Sequence, residues 1–144
     1  MKQKTTPLLF ALSTLLAISC STKNPLENVD PLLLSNAEKY IDAMANYDIE
    51  SARQYATEET KNITLQFIEG FMMPKLDSSF IEKNTPATIR IDSVTFADDT
   101  TATVYYNKKT PIRTDDVTLD MRLRNGQWLA HQVIDPKISL GANA

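Results

Sequence analysis

The chain has little of what small active sites are usually built from. Of its 144 residues, one is cysteine, one is histidine and three are glycine. A single cysteine excludes an internal disulfide, a zinc knuckle and a CxxC redox pair. Glycines only at 70, 126 and 141 exclude a glycine-rich phosphate loop. Carboxylates are then the main remaining metal ligands. The acidic pairs Asp98-Asp99 and Asp115-Asp116 are direct neighbours, whose side chains point apart in extended chain. No metal site and no cofactor is expected. Basic residues number 15 against 18 acidic, with a pI near 5.1 and no basic block, which argues against a nucleic-acid partner.

What is present begins with a leader. Lys2 and Lys4 precede an apolar run from Leu8 to Ile18, about 11 residues long. A membrane span needs roughly 20, so the run reads as the h-region of a signal peptide over residues 1–19. It ends in Leu16-Ala17-Ile18-Ser19-Cys20. This segment resembles the lipobox of bacterial lipoproteins, with Ala17 where leucine is commoner. The resemblance implies that Cys20 is acylated on sulfur and becomes the mature N-terminus, which leaves the mature chain without a thiol. Buried acyl chains contribute about 0.8 kcal/mol per methylene, so multiple acylation anchors stably. The membrane is then a partner through the N-terminal lipid. The expected location is the bacterial cell envelope, lipid-anchored at the periplasmic face of the outer membrane. Loss of Lys2 and Lys4 takes the basic count from 15 to 13 against 18 acidic groups, so charge gives no attraction to an anionic bilayer.

Beyond the leader we expect a tether over 20–31, one domain over 32–134 and a tail over 135–144. Asp30-Pro31 predicts a helix start, an N-cap oxygen followed by proline at the first helical position. Leu33, Leu34, Ala37, Tyr40, Ile41 and Met44 then recur at helical spacing. Asp48 predicts the cap of a short second helix, and Thr57-Glu58-Glu59 the start of a third. Ile63, Leu65, Phe67, Ile68, Phe71 and Met72 predict burial of that third helix on more than one side. Residues 75–86 read as loop, with room for one turn of helix.

After Pro86 the pattern turns to period two. Ile89 and Ile91 are in step, as are Val94 and Phe96, with a change of parity between the pairs that predicts a β-bulge. Ala102, Val104 and Tyr106 alternate inward, 111–116 reads as a connection, and Val117, Leu119, Met121 and Leu123 form another inward row. Asn125-Gly126 supplies a strong two-residue hairpin signal. Its register pairs Leu123 with Trp128, Met121 with Ala130 and Asp120 with His131. The layout is α+β: N-terminal helices packed on a curved, bulged antiparallel sheet of about four strands.

A family resemblance enters with Tyr40-Ile41-Asp42-Ala43-Met44, Asn46-Tyr47-Asp48 and Ala52, followed by Asp99-Thr100-Thr101-Ala102-Thr103-Val104 and Asn125-Gly126-Gln127-Trp128. In this order they resemble nuclear transport factor 2-like (cystatin-like cone) domains, and in particular uncharacterised bacterial lipoproteins of that group. The resemblance covers residues 32–134 and implies a cone-shaped domain whose interior is either filled by interlocking side chains or open at its wide end to an apolar ligand. Enzymes of that superfamily carry acid-base groups in the cone, but no catalytic set can be matched here. His131 falls opposite Trp128 with Asp120 as its cross-strand neighbour, which reads as a solvated pair.

Phe67, Phe71, Tyr106, Met121 and Trp128 are the candidate cavity lining. The expected function is non-enzymatic binding of a small apolar ligand or an envelope partner protein, with a homodimer also open. A small hydrolase or isomerase with an unrecognised acid-base pair is the alternative.

Overall fold

The structure, a computed structural model, describes residues 24–135. Cys20 and the leader, like most of the expected tail, lie outside the described residues.

Residues 24–30, expected as tether, fold into hydrogen-bonded turns. Leu26 N–H bonds Asn24 Oδ1 at 3.1 Å, Glu27 N–H bonds the Asn24 carbonyl and Val29 N–H bonds the Leu26 carbonyl. Val29 packs on the core. Helix α1, Pro31–Ala45, starts as the sequence predicts, with Asp30 Oδ1 accepting from Leu32 N–H at 2.8 Å. Its buried stripe is Leu33, Ala37, Tyr40, Ile41 and Ala43.

The helix ends in a paired closure in which Asp48 N–H bonds the Ala43 carbonyl and Tyr47 N–H bonds the Met44 carbonyl. This motif places one residue in the left-handed region, usually glycine. Here it is Tyr47, at φ 62°, a conformation that costs about 1–2 kcal/mol without glycine. The ring meets Phe80 edge-on at 6.5 Å. Asn46 ties the same corner to the sheet, accepting Ala87 N–H at 2.8 Å and donating to the Ala87 carbonyl at 3.2 Å.

Helix α2, Ile49–Arg53, is capped by Asp48, which accepts from Ser51 N–H. The third helix runs over 58–72 and is largely π-helical, at Thr60–Leu65 and Ile68–Met72, before one 3₁₀ turn at Met73–Lys75. Its expected burial on several sides is not observed. Leu65 is buried, whereas Ile63, Phe71 and Met72 are exposed. The region expected as loop contains a further helix, α3, Ser78–Asn84, with Asp77 accepting from Ser79 N–H at 3.1 Å.

Four strands follow: β1 Thr88–Asp98, β2 Thr101–Lys109, β3 Thr114–Arg124 and β4 Gln127–Ala130. They form one antiparallel sheet in the order β1-β2-β3-β4. The expected parity change is a bulge between Ile91 and Ser93, and a second irregularity falls between Phe96 and Asp98. Strand β3 begins at Thr114, inside the stretch expected as connection. At the β3–β4 turn Asn125 and Gly126 take φ 52° and 76°, and Leu123 pairs with Trp128 and Met121 with Ala130, as expected.

Helix α1 packs across β4, β1 and β3, and the core lies between its stripe and Ala102, Val104, Leu119, Met121, Trp128 and Ala130. The third helix takes another position, along the outer edge of β4 and its continuation. Ala130 N–H donates to the Tyr55 carbonyl at 2.7 Å, and the Ala130 carbonyl accepts Thr57 N–H at 2.9 Å. Beyond the strand, Thr60 Oγ1 accepts Gln132 N–H at 2.9 Å and donates to the Ala130 carbonyl at 3.3 Å. Thr64 Oγ1 donates to the Gln132 carbonyl and accepts Ile134 N–H at 3.0 Å. Two strand residues advance about 6.6 Å, close to a helical pitch of about 5.4 Å. Hydroxyls one turn apart can therefore serve successive outward groups of the chain. The open edge that a terminal strand presents is closed at Ala130 by the backbone of Tyr55 and Thr57, and beyond it by threonine side chains.

Candidate functional site

The structure divides the five residues expected to line a cavity. Met121 is fully buried and Trp128 is 5% exposed, both within the packed core. The Trp128 indole meets Phe96 edge-on at 6.0 Å, and its carbonyl accepts from Asn36 Nδ2 at 3.0 Å. Phe67 and Phe71 lie outside this core. Their rings stack on each other at 5.0 Å, and Lys75 Nζ sits 3.5 Å from the Phe71 ring centre. They are not brought to Trp128, because the threonine contacts hold the third helix at the edge of the sheet rather than across its face. Tyr106, half-buried on the inward row of β2, lines a depression.

That depression, about 250 Å³, lies between the C-terminal half of α1 and the inward face of β2 and β3. Ile41, Met44, Val117 and Leu119 form apolar walls, Tyr40 and Tyr106 bring phenols, and Lys108 and Gln132 stand among the lining groups. Tyr40 O–H donates to Gln132 Oε1 at 2.9 Å. Burial pushes the Tyr40 phenol far above its ordinary value, with the neighbouring Tyr106 adding to the effect. Burial also raises Tyr106. Both phenols are therefore neutral hydroxyls at physiological pH, able to donate a hydrogen bond but not to take a proton as base. Tyr40 entered the sequence reading as part of an apolar stripe and of the segment that carries the family resemblance, not as a lining residue. A phenol in a run of aliphatics was the signal that it borders a cavity, since a buried Tyr seeks a partner for its hydroxyl.

Asp120 and His131 do not form the solvated pair that alternation predicts. His131 N–H does bond the Asp120 carbonyl at 2.8 Å, continuing the ladder one residue past β4. The side chains part, however: Asp120 Oδ1 accepts from Thr103 Oγ1 at 3.0 Å, and His131 Nδ1 lies 3.0 Å from the buried Thr57 Oγ1. Thr57 Oγ1 is in turn 2.8 Å from Thr60 Oγ1 and accepts Thr60 N–H at 3.3 Å. The imidazole is thus tied into the hydroxyl row that closes the sheet edge, and His131 is not among the residues that line the Tyr40–Tyr106 depression, although its neighbour Gln132 is.

A second depression, about 310 Å³, lies beside Gln54, Lys61 and Arg124. Its charges are paired: Lys61 with Glu58 at 2.8 Å, Arg124 with Glu59 at 3.1 Å. Among the described residues no group of three or more His, Cys, Asp or Glu is placed to hold a metal ion. No described helix is long and apolar enough to cross a membrane.

Comparison with known proteins gives one similar solved structure. It is the crystal structure of an NTF-2 like protein of unknown function from Shewanella oneidensis MR-1. The similarity covers 69% of this chain and 91% of that one, at 13% sequence identity and a TM-score of 0.45. No protein-family model matches the sequence, and no curated protein matches it.

Proposed function

We propose that the chain is a lipid-anchored, non-enzymatic binding domain of the bacterial cell envelope. Cys20 carries the anchor, and the depression beneath Tyr40 and Tyr106 accepts a small apolar group. The observation that carries the binding half is the chemistry of that depression. Its walls are aliphatic, its two phenols stay protonated, and the chain's single imidazole is held elsewhere by Thr57. Such a site offers shape, apolar contact and hydrogen-bond donors, but no acid-base pair poised near neutrality. At about 250 Å³ it is smaller than the ~300–1,000 Å³ of drug-sized pockets, which matches a single ring or a short aliphatic chain. Lys108 would favour a ligand whose polar end is anionic.

The anchoring half rests on the charged n-region, the short apolar run and the cysteine directly after Ser19. Mass spectrometry of the protein purified from bacterial membranes tests it. A diacylglyceryl adduct on an N-terminal Cys20 is expected; a free Cys20 thiol, or cleavage elsewhere, overturns it. Calorimetric titration with straight-chain carboxylates from butanoate to octanoate tests the binding half. Saturable binding that Ala45→Trp abolishes is expected, since Ala45 lines the depression and indole would fill it. Absence of saturable binding across the series overturns it.

A further inference from the structure

Hydrogen-bonded turns are present from Asn24, well inside the tether expected over 20–31. Asn24 is already fixed, its side chain and carbonyl both accepting hydrogen bonds within the N-terminal turns. Four peptide steps separate it from Cys20. Fully extended, four residues reach at most about 14 Å. A domain of roughly 110 residues has a radius of gyration of about 13 Å. A leash comparable with that radius, and well short of the domain's full width, cannot let the domain turn its far side to the anchor.

The surface beside Asn24 is apolar. Leu26 closes a shallow depression of about 250 Å³ with Leu34 of α1 and Ile89 and Ile91 of β1, rimmed by Glu38 and Arg90. Leu32, in the first turn of α1, is 64% exposed. Strand β1 is the first in the sheet order, so its outer side has no strand partner among the described residues. Charge there is balanced: Arg90 Nε bonds Asp92 Oδ1 at 2.8 Å, and Glu38 stands nearby.

From the length of chain between Cys20 and Asn24 and the composition of this face, we infer that the surface formed by Leu26, Leu34, Ile89 and Ile91 lies against the lipid bilayer. The inference rests on acylation at Cys20. The bilayer covers the apolar depression and the free edge of β1, and the contact depends on apolar burial and proximity rather than on anionic lipid. The opposite edge of the sheet, closed by the third helix, faces away. Three strand spacings alone separate the two edges by about 14 Å.

Single spin labels on the acylated full-length mature protein test this directly, because acylation of Cys20 leaves no other thiol. The protein is reconstituted in vesicles of phosphatidylethanolamine and phosphatidylglycerol. Labels are placed through Asn28→Cys, Arg90→Cys and, on the third helix, Asn62→Cys, all exposed positions. Lipid-soluble oxygen is expected to relax the labels at 28 and 90 more than a water-soluble nickel chelate does. The order should reverse at 62, and added salt should leave it unchanged. Mass spectrometry of the same preparation separates the two readings. Unmodified Cys20 overturns the anchoring and this inference together. Acylated Cys20 with all three labels facing water overturns this inference alone.

Discussion

The hydroxyl of Thr60 accepts the N–H of Gln132 at 2.9 Å, from a residue 72 positions further along the chain. The same oxygen donates to the Ala130 carbonyl, so one fully buried side chain bonds the backbone on both sides of His131. We expect Thr60→Val, nearly equal in shape, to leave the Gln132 N–H without this partner, while the Ala130 carbonyl keeps Thr57 N–H, and to cost about 1–3 kcal/mol in a denaturant titration. Thr60→Ser should recover most of the loss. Equal costs for the two variants would mean that packing, not the hydroxyl, matters there.

Trp128 and Phe71 should behave oppositely. Trp128→Ala removes a buried indole and is expected to cost about 3–5 kcal/mol. Phe71 is 38% exposed and touches Phe67 and Lys75. Phe71→Ala should cost no more than about 1.5 kcal/mol, the scale of a stacking or cation–π contact. Thermal melts of the two variants would reverse the placement of the third helix if Phe71→Ala were the more damaging.

Trp128 emission should lie to the blue of free tryptophan and resist iodide, since the indole is 5% exposed. It should also stay unchanged as a carboxylate ligand is added, because Trp128 does not line the Tyr40–Tyr106 depression. A saturable shift in its emission would move the binding site toward the β4 end of the core, where Trp128 meets Phe96.

Acid should act first through His131. Burial, then Arg122 and Arg124, lower its pKa, while Glu59 and Asp120 oppose the change. The unfolded imidazole takes up its proton near 6.5 and the folded one only at lower pH. The unfolded chain therefore binds more protons in that window. Stability associated with neutral His131 is complete above about pH 6.5 and is lost as pH falls through the folded value. His131→Asn should flatten the stability profile between about pH 6.5 and the carboxylate range. Denaturant midpoints for both proteins across that interval check this. An unchanged slope in the variant would assign the effect to other groups.

What could be read from the sequence was local. Asp30, Asp48 and Thr57 each cap a helix within a few residues, and Asn125-Gly126 sets its turn and the register of Trp128 by backbone conformation alone. The bulge beside Asp92 showed as a shift of parity. What escaped was long-range. The threonines at 57, 60 and 64 look like ordinary helix residues until their partners at 130–134 are beside them. That contact draws the third helix to the sheet edge, which strips Phe67 and Phe71 of their expected role. It also turns His131 from Asp120 to Thr57. Helix α3 was legible only as a turn of helix without bounds, because a seven-residue segment carries too few turns for periodicity to register.

The central claim, binding beneath Tyr40 and Tyr106, is tested most directly by the tyrosine ring resonances of the protein during titration with hexanoate. Selective, saturable shifts of the Tyr40 and Tyr106 rings are expected, with Tyr47, Tyr55 and Tyr105 unmoved, since those three do not line the depression. Tyr40 and Tyr106 signals that stay fixed while hexanoate binds elsewhere, or does not bind, would contradict the account.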